Sequence, residues 1–271
     1  MIEIASDRAA AFRRKVWAFY RRHGRSLWFR ATTDPYRITV SEVMAQQTQI
    51  ERVAEKYPAW IERWPDWKSL AQASTREVLA QWSGMGYNRR ALYLKRMAQI
   101  VISEFDGRLP DDPLALRQLP GIGPYTANAI AIFAFDKRLA AVDTNVRKAI
   151  VHEFNLSQQT PAPEIQRIAT RLLPRRNVKD WHHALMDYAN VALPKKIATT
   201  RQHSKQVPYE GSRRQLRGAI VRVLTGTRQV SMKSMAKTMG RSVADVRAAA
   251  KALEQDHMVV VRGDRVRLVL H

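Results

Sequence analysis

The 271-residue chain contains no cysteine. That absence excludes disulfides, thiolate nucleophiles, zinc–cysteine sites and cysteine-held iron–sulfur clusters together. Long hydrophobic runs are missing too. No stretch approaches the roughly 18 to 20 continuous apolar residues of a membrane span. The N-terminal "MIEIASDRAAAFRRKVWAFY" is charged and amphipathic, without the apolar core and cleavage site of a signal peptide. A cytoplasmic protein is expected. The seven histidines show no metal-ligand spacing, and the adjacent His182 and His183 diverge on a helix, which favours structural roles. Acidic residues are scarce, 24 against 46 Lys and Arg, leaving a formal net charge of +22. A surplus of that size repels itself and makes most sense against a polyanion. With no basic membrane anchor or lipidation motif, nucleic acid is the expected partner.

What is present is mostly helical periodicity. "AAFRRKVWAFYRRH", "SEVMAQQTQIERVAEKYPAWIERW", "DWKSLAQASTREVLAQW", "RRALYLKRMAQIVISEF", "YTANAIAIFAFD", "DTNVRKAIVHEF", "PEIQRIATRLLP" and "DWHHALMDYANVAL" each place apolar residues near i, i+3, i+4. Strand alternation is absent before about residue 258, so the pattern predicts a helical body over 1–193. Residues 194–212 lose the apolar period and gain basic, polar and Pro/Gly residues, which reads as a linker. The unit at 213–271 runs through helices at "SRRQLRGAIVRVL", "SMKSMAKTM" and "SVADVRAAAKALEQD", the last opening at a Ser cap. It ends in "MVVVRGDRVRLVL", two β-rich runs about a Gly-Asp turn. Three helices and a hairpin are the order of a winged helix, which binds DNA with its third helix in the major groove or, in other cases, binds proteins.

Three local features can carry chemistry. In "LPGIGPYTANAI", Gly121 and Gly123 allow unusual backbone and leave no side chain between main chain and ligand, and Pro124 suits a first helical position. The helix that follows offers free N–H groups and a positive dipole end to an anion. An ordinary turn between helices fits this stretch equally well. Asp143, in "AAVDTNVRKAI", fits a helix N-cap, yet the apolar "RLAAV" before it sets the carboxylate against a buried wall. Glu42, in "TVSEVMAQQTQ", fits a capping box with Thr39.

In order and spacing, "SEVMAQQTQ", "WSGMGYNRRALYLKRMAQIV", "LPGIGPYTANAIAIFAF", "VDTNVRKAI" and "ALMDYA" together resemble the helix-hairpin-helix DNA glycosylase superfamily, and most of all its adenine-mismatch (MutY-type) branch. The resemblance covers about residues 25–193. It implies a mainly α, two-lobed glycosylase fold, with lobe boundaries near 30 and 135, followed by the winged-helix-like α/β unit. It also implies base excision repair, with a flipped base lost from double-stranded DNA holding a mismatch or damage, by a monomer. In the family, the counterpart of Asp143 stabilises the oxocarbenium-like sugar cation or bonds to it transiently. The counterpart of Glu42 protonates the purine at N7. This division of labour is that of glycoside hydrolysis, and it requires a raised pKa at Glu42, for which the flanking Val43 and Met44 are suited. Asn145 and Arg30 match positions near the catalytic Asp and the target nucleotide. Gln47 matches the intercalating wedge, with Gln46 beside it. Gly121, Gly123 and Thr126 belong to the DNA-gripping hairpin, where the one metal the resemblance allows is a structural monovalent cation. Tyr125 stands where strand-cleaving relatives carry a Schiff-base lysine, so a monofunctional enzyme is expected.

The chain departs from the family at several places. Leu193 falls where the first cluster cysteine would be. A cluster-free loop is therefore expected, with Lys195, Lys196, Arg201 and Lys205 supplying its phosphate contacts. Phe29 replaces a tryptophan, Ala45 a leucine, and Asn88 an aromatic that in relatives inserts beside the opposite base. A winged-helix-like unit stands where this branch usually ends in a Nudix-like domain that recognises 8-oxoguanine. Adenine opposite guanine or 8-oxoguanine is the first expected substrate. Thymine or uracil opposite guanine, or hypoxanthine, is the alternative. A non-catalytic DNA-binding protein is a third reading, disfavoured because acidic groups gain nothing beside phosphates.

Overall fold

The computed structural model describes residues 2–194 and 210–269; Lys195, Lys196, Arg201 and Lys205 lie outside the described residues. In chain order the helices are α1 (Ser6–His23), α2 (Pro35–Ala45), α3 (Ile50–Arg63), α4 (Trp67–Gln72), α5 (Thr75–Gln81), α6 (Arg89–Glu104) and α7 (Pro113–Leu116). They continue with α8 (Pro124–Phe135), α9 (Thr144–Glu153), α10 (Ala162–Arg171), α11 (Val178–Asp187), α12 (Arg213–Gly226), α13 (Met232–Met239) and α14 (Val243–Gln255). Short strands β1 (Val230–Ser231), β2 (Val259–Arg262) and β3 (Arg265–Leu268) form one antiparallel sheet in the order β1-β3-β2. The fold is mainly α with a small sheet.

Two compact units share the chain discontinuously. One takes residues up to 42 together with 110–194, and the other takes 43–109 together with 210–269. In the first, α1 buries Phe12 and Val16. Phe12 meets Phe154, Trp181 and Tyr188 edge to face at centroid distances of 5.3, 5.9 and 6.5 Å. Such pairs add about 0.5–1.5 kcal/mol each beyond their burial. At the centre of this unit runs α8, apolar on nearly all sides, with Ala127 and Ala129 to Ile132 fully buried. The second unit is built on Trp60, which packs against Trp64 and Trp82 at 4.8 and 5.4 Å.

Two long helical runs predicted from the sequence are each broken. The first divides at Gln46–Gln49, because Gln47 adopts a left-handed backbone with φ 54°. The buried Arg90 side chain holds that break. It donates to the carbonyls of Val43, Met44 and Gln46 at 2.9, 2.9 and 2.6 Å, where a continuing helix would have placed amides. The second run divides at Ala73–Ser74, where Ser74 and Glu77 form a capping box that starts α5. The expected box at Thr39 does not form. Thr39 lies inside α2 with its hydroxyl donating to Pro35 O at 2.7 Å, and Asp34 caps the helix through Arg37 N–H at 2.8 Å. The expected C-terminal hairpin gains a third strand in β1, whose two residues are too few to show alternation.

Candidate active site

The first unit assembles four of the residues singled out in the sequence: Glu42, Tyr125, Asp143 and Asn145. Asp143 caps α9, with Oδ1 accepting Val146 N–H at 2.6 Å and Oδ2 accepting Asn145 Nδ2 at 2.9 Å. Burial raises its pKa, and these hydrogen bonds work against that rise. Glu42, one turn from the end of α2, is raised from 4.5 to about 7. Burial is the main cause and the negative charge of Asp143 adds to it. A hydrogen bond from the Tyr125 hydroxyl and the positive charge of Arg30 pull the other way. Tyr125 itself is pushed well above its ordinary value by burial and by the two carboxylates. The result is a carboxyl poised near neutral pH beside a second carboxylate fixed by backbone and amide donors. Both carboxyls are raised, with the Asp143 charge adding to the rise at Glu42 and backbone and amide donors opposing it at Asp143, an asymmetry that suits an acid beside an electrostatic stabiliser.

The segment carrying Asp143 is fastened by residues that the sequence did not single out. His182 receives Ala141 N–H on Nε2 at 3.0 Å and shares a 2.8 Å contact between Nδ1 and Val178 O, which fixes one neutral tautomer. Asn128 and Gln166 both donate to Ala140 O, at 2.9 and 2.8 Å. His183 stacks on Phe133 at 4.8 Å and is driven down to about 3 by burial and by Arg30 and Lys179. Both histidines are structural. Arg30 is held bidentate by the fully buried Asp187, at 2.8 and 2.8 Å, and Arg25 joins the same carboxylate through its backbone N–H and Nε at 2.9 and 2.7 Å.

The hairpin residues divide by role. Gly121 has φ 79°, which only glycine adopts without strain. Gly123 is extended, and a Cβ there would meet nothing within 4 Å, so neither backbone nor packing demands glycine. Its missing side chain leaves open space at the start of α8, where Pro124 is the first residue. Thr126 is buried.

The second unit carries Gln46, Gln47, Tyr87 and Asn88. Gln47 is exposed in its left-handed turn. In the other loop the exposed aromatic is Tyr87, 45% exposed with φ 46°, while Asn88 takes ordinary helical backbone just before α6. Tyr87 went unremarked in the sequence, although "GMGYN" shows an aromatic between breakers. Arg90 binds both loops: besides the three carbonyls already named, it donates to Thr48 Oγ1, Met85 O and Gly86 O at 3.0, 3.0 and 3.1 Å.

The sequence model for HhH-GPD superfamily base excision DNA repair proteins matches residues 40–175. The chain belongs to this superfamily. Among curated HhH-GPD relatives, an adenine DNA glycosylase of Mycolicibacterium smegmatis is 36% identical over 217 residues, covering 73% of this chain and 74% of that one. An adenine DNA glycosylase of Mycobacterium tuberculosis is 39% identical over 175 residues, covering 63% and 58%. Among solved structures, a thermostable thymine-DNA glycosylase aligns with TM-score 0.65 and 27% identity over 70% of this chain and 90% of that one. An endonuclease III–DNA complex, at 18% identity and TM-score 0.61 over 69% of this chain and 86% of that one, shares the fold.

The iron–sulfur cluster of many HhH-GPD proteins does not fit this chain. It has no thiolate to offer. Leu193, at the place of the first cysteine, is buried, and its carbonyl and that of Ala189 accept Lys148 Nζ at 3.3 and 2.8 Å. Among the described residues no group of three His, Asp or Glu could hold a metal ion. No described helix is long and apolar enough to cross a membrane.

Proposed function

We propose that the protein is a monofunctional DNA glycosylase that removes adenine mispaired with guanine or 8-oxoguanine. The observation that carries the reading is Glu42, raised to about 7 beside Asp143 and touched by the Tyr125 hydroxyl. In the proposed reaction the Glu42 proton passes to N7 of the flipped adenine. The C1′–N9 bond breaks with its electron pair leaving on the base. Asp143 stabilises the sugar cation, and water adds to C1′ as its proton returns to Glu42, leaving an abasic site. Tyr125 offers no amine for a Schiff base, so the strand stays intact. Gln47 is the proposed wedge, and Gly121 and Gly123 grip the backbone of the strand.

Adenine is favoured by the names of the curated relatives and by chemistry, because adenine presents N7 to the acid whereas thymine and uracil have no N7. A second reading, thymine or uracil opposite guanine, draws support from the likeness to the thymine-DNA glycosylase. The test is a panel of duplexes with single A:G, A:8-oxoguanine, T:G, U:G or inosine sites, treated with alkali after incubation. Base loss from adenine pairs is expected, with strand breaks only after alkali. Loss from T:G or U:G alone would replace adenine by the second reading. Breaks without alkali would overturn the assignment of Tyr125, and no base loss at all would overturn the enzyme.

A further inference from the structure

The C-terminal helices and sheet are fastened to the rest of the second unit at two places. Arg76, on α5, caps the end of α12 by donating to the carbonyls of Leu224, Thr225 and Thr227 at 2.8, 2.9 and 2.9 Å. Asp256, at the end of α14, is paired with Arg217 of α12 and with Arg89, the first residue of α6. Arg89 follows the Tyr87–Asn88 loop directly. The added part is therefore not tethered loosely; it is tied to the helix that begins at that loop.

Away from these anchors it exposes cations on α14 and at the hairpin tip. Arg247 and Lys251 are exposed on α14, with the small Ala244 and Ala248 between and beside them. At the tip of the β2–β3 hairpin, Arg262 and Arg265 are exposed and stand directly opposite each other in the strand register. Like charges at that position weaken a hairpin, and packing gives no reason for them. The acidic groups of this region make local contacts, and of Asp245, Glu254 and Asp264 only Asp245 is exposed. Asp245 accepts from Ser242 Oγ, Glu254 accepts Val261 N–H, and Asp264 buries Oδ1 under the turn between the two arginines. Val243 is the one large apolar side chain among the described residues of this part that is exposed, which is too little for the apolar centre of a protein interface.

We infer that Arg247, Lys251, Arg262 and Arg265 together bind duplex DNA through its phosphates, independently of sequence. The small residues let α14 lie close to a groove, and beyond its first turn, where Asp245 is exposed, the exposed polar side chains before its last residue are Arg247 and Lys251, which suit phosphate more than a particular base. The inference rests on the DNA glycosylase reading only in taking the bound duplex to be the one that carries the lesion.

The test is binding of the full chain to an undamaged duplex of roughly 30 base pairs, as a function of salt, for R247Q/K251Q/R262Q/R265Q. Each lost phosphate contact lowers the slope of log K against log salt by about 0.9. A fall of about 3 to 4 in slope, with affinity down at least about tenfold near 0.1 M salt, is expected. A control, R14Q/R21Q/R22Q/R171Q, removes the same charge from exposed positions of α1 and α10. Equal losses in both proteins, or no loss in the first, would overturn the inference. Should the fourfold variant fold poorly, R262Q alone relieves the hairpin repulsion. It should melt no lower than the parent while its slope falls by about 1, and an unchanged slope overturns the inference. Because the readout is undamaged DNA, absence of base release in the parent would sink the glycosylase reading and leave this test intact.

Discussion

Replacing Glu42 with glutamine removes one ionisable group while keeping the side chain's shape and an oxygen that still accepts from Tyr125. In the parent, the folded protein holds this carboxyl at about 7, against 4.5 for the ordinary group. Between those values the folded state keeps a proton that the unfolded chain has released, so stability falls as pH rises through the window. The cost is about 3 kcal/mol at pH 8 and under about 1 kcal/mol at pH 5. Glu42→Gln lacks it, so its stability relative to the parent should improve by about 2.5 kcal/mol between pH 5 and pH 8. Asp143 titrates in both proteins and largely cancels. Urea unfolding at pH 5, 6, 7 and 8 reads the difference directly. Any constant offset from the amide drops out of its pH dependence. Base release by the variant should fall at least about a hundredfold, and the parent's rate should decline above pH 7 as the acid loses its proton. A stability difference that stays flat with pH, or a variant as active as the parent, would refute the assignment of a strained acid at this position.

Asp143→Asn keeps an oxygen for Val146 N–H, so stability should change by less than about 1 kcal/mol. DNA binding should persist while single-turnover base release falls on the order of a thousandfold; full activity would remove Asp143 from the chemistry. Tyr125→Phe deletes the donor that holds the Glu42 pKa down, so the alkaline limb of the pH–rate profile should move to higher pH; a shift downward would contradict the geometry. Arg90→Met takes a donor from six acceptors of two loops, of which Gly86 O keeps Trp82 Nε1 and Val43 O keeps Gln46 N–H. Denaturant unfolding should show a loss of at least about 3 kcal/mol, and a loss under about 1 kcal/mol would show that water replaces the guanidinium without penalty.

Much of the local chemistry was legible along the chain. Pro124 after Gly123, Asp143 before an amphipathic helix and Ser242 at the head of α14 behave as their side chains dictate, because capping depends on residues within one turn. The zero count of cysteine decided the cluster question outright. Helix breaks were less legible. The break after Ala45 depends on a guanidinium 45 positions away in the sequence, and periodicity cannot register a partner at that distance. Tyr87 escaped notice for a related reason: only the folded loop shows that this aromatic stays exposed.

Residue content and local order suffice for the helical body, the basic balance, the absence of thiolate chemistry and the residue types from which a two-carboxylate site could be made. Those properties follow from composition and short-range spacing. The family resemblance called for a raised pKa at Glu42, but its placing near 7 and its separation from any capping box come from the fold. Its pKa is set by what surrounds it: α8 brings the Tyr125 hydroxyl, the start of α9 brings the Asp143 charge, and packing removes water. Desolvation and charge act through space, and a chain read residue by residue contains neither.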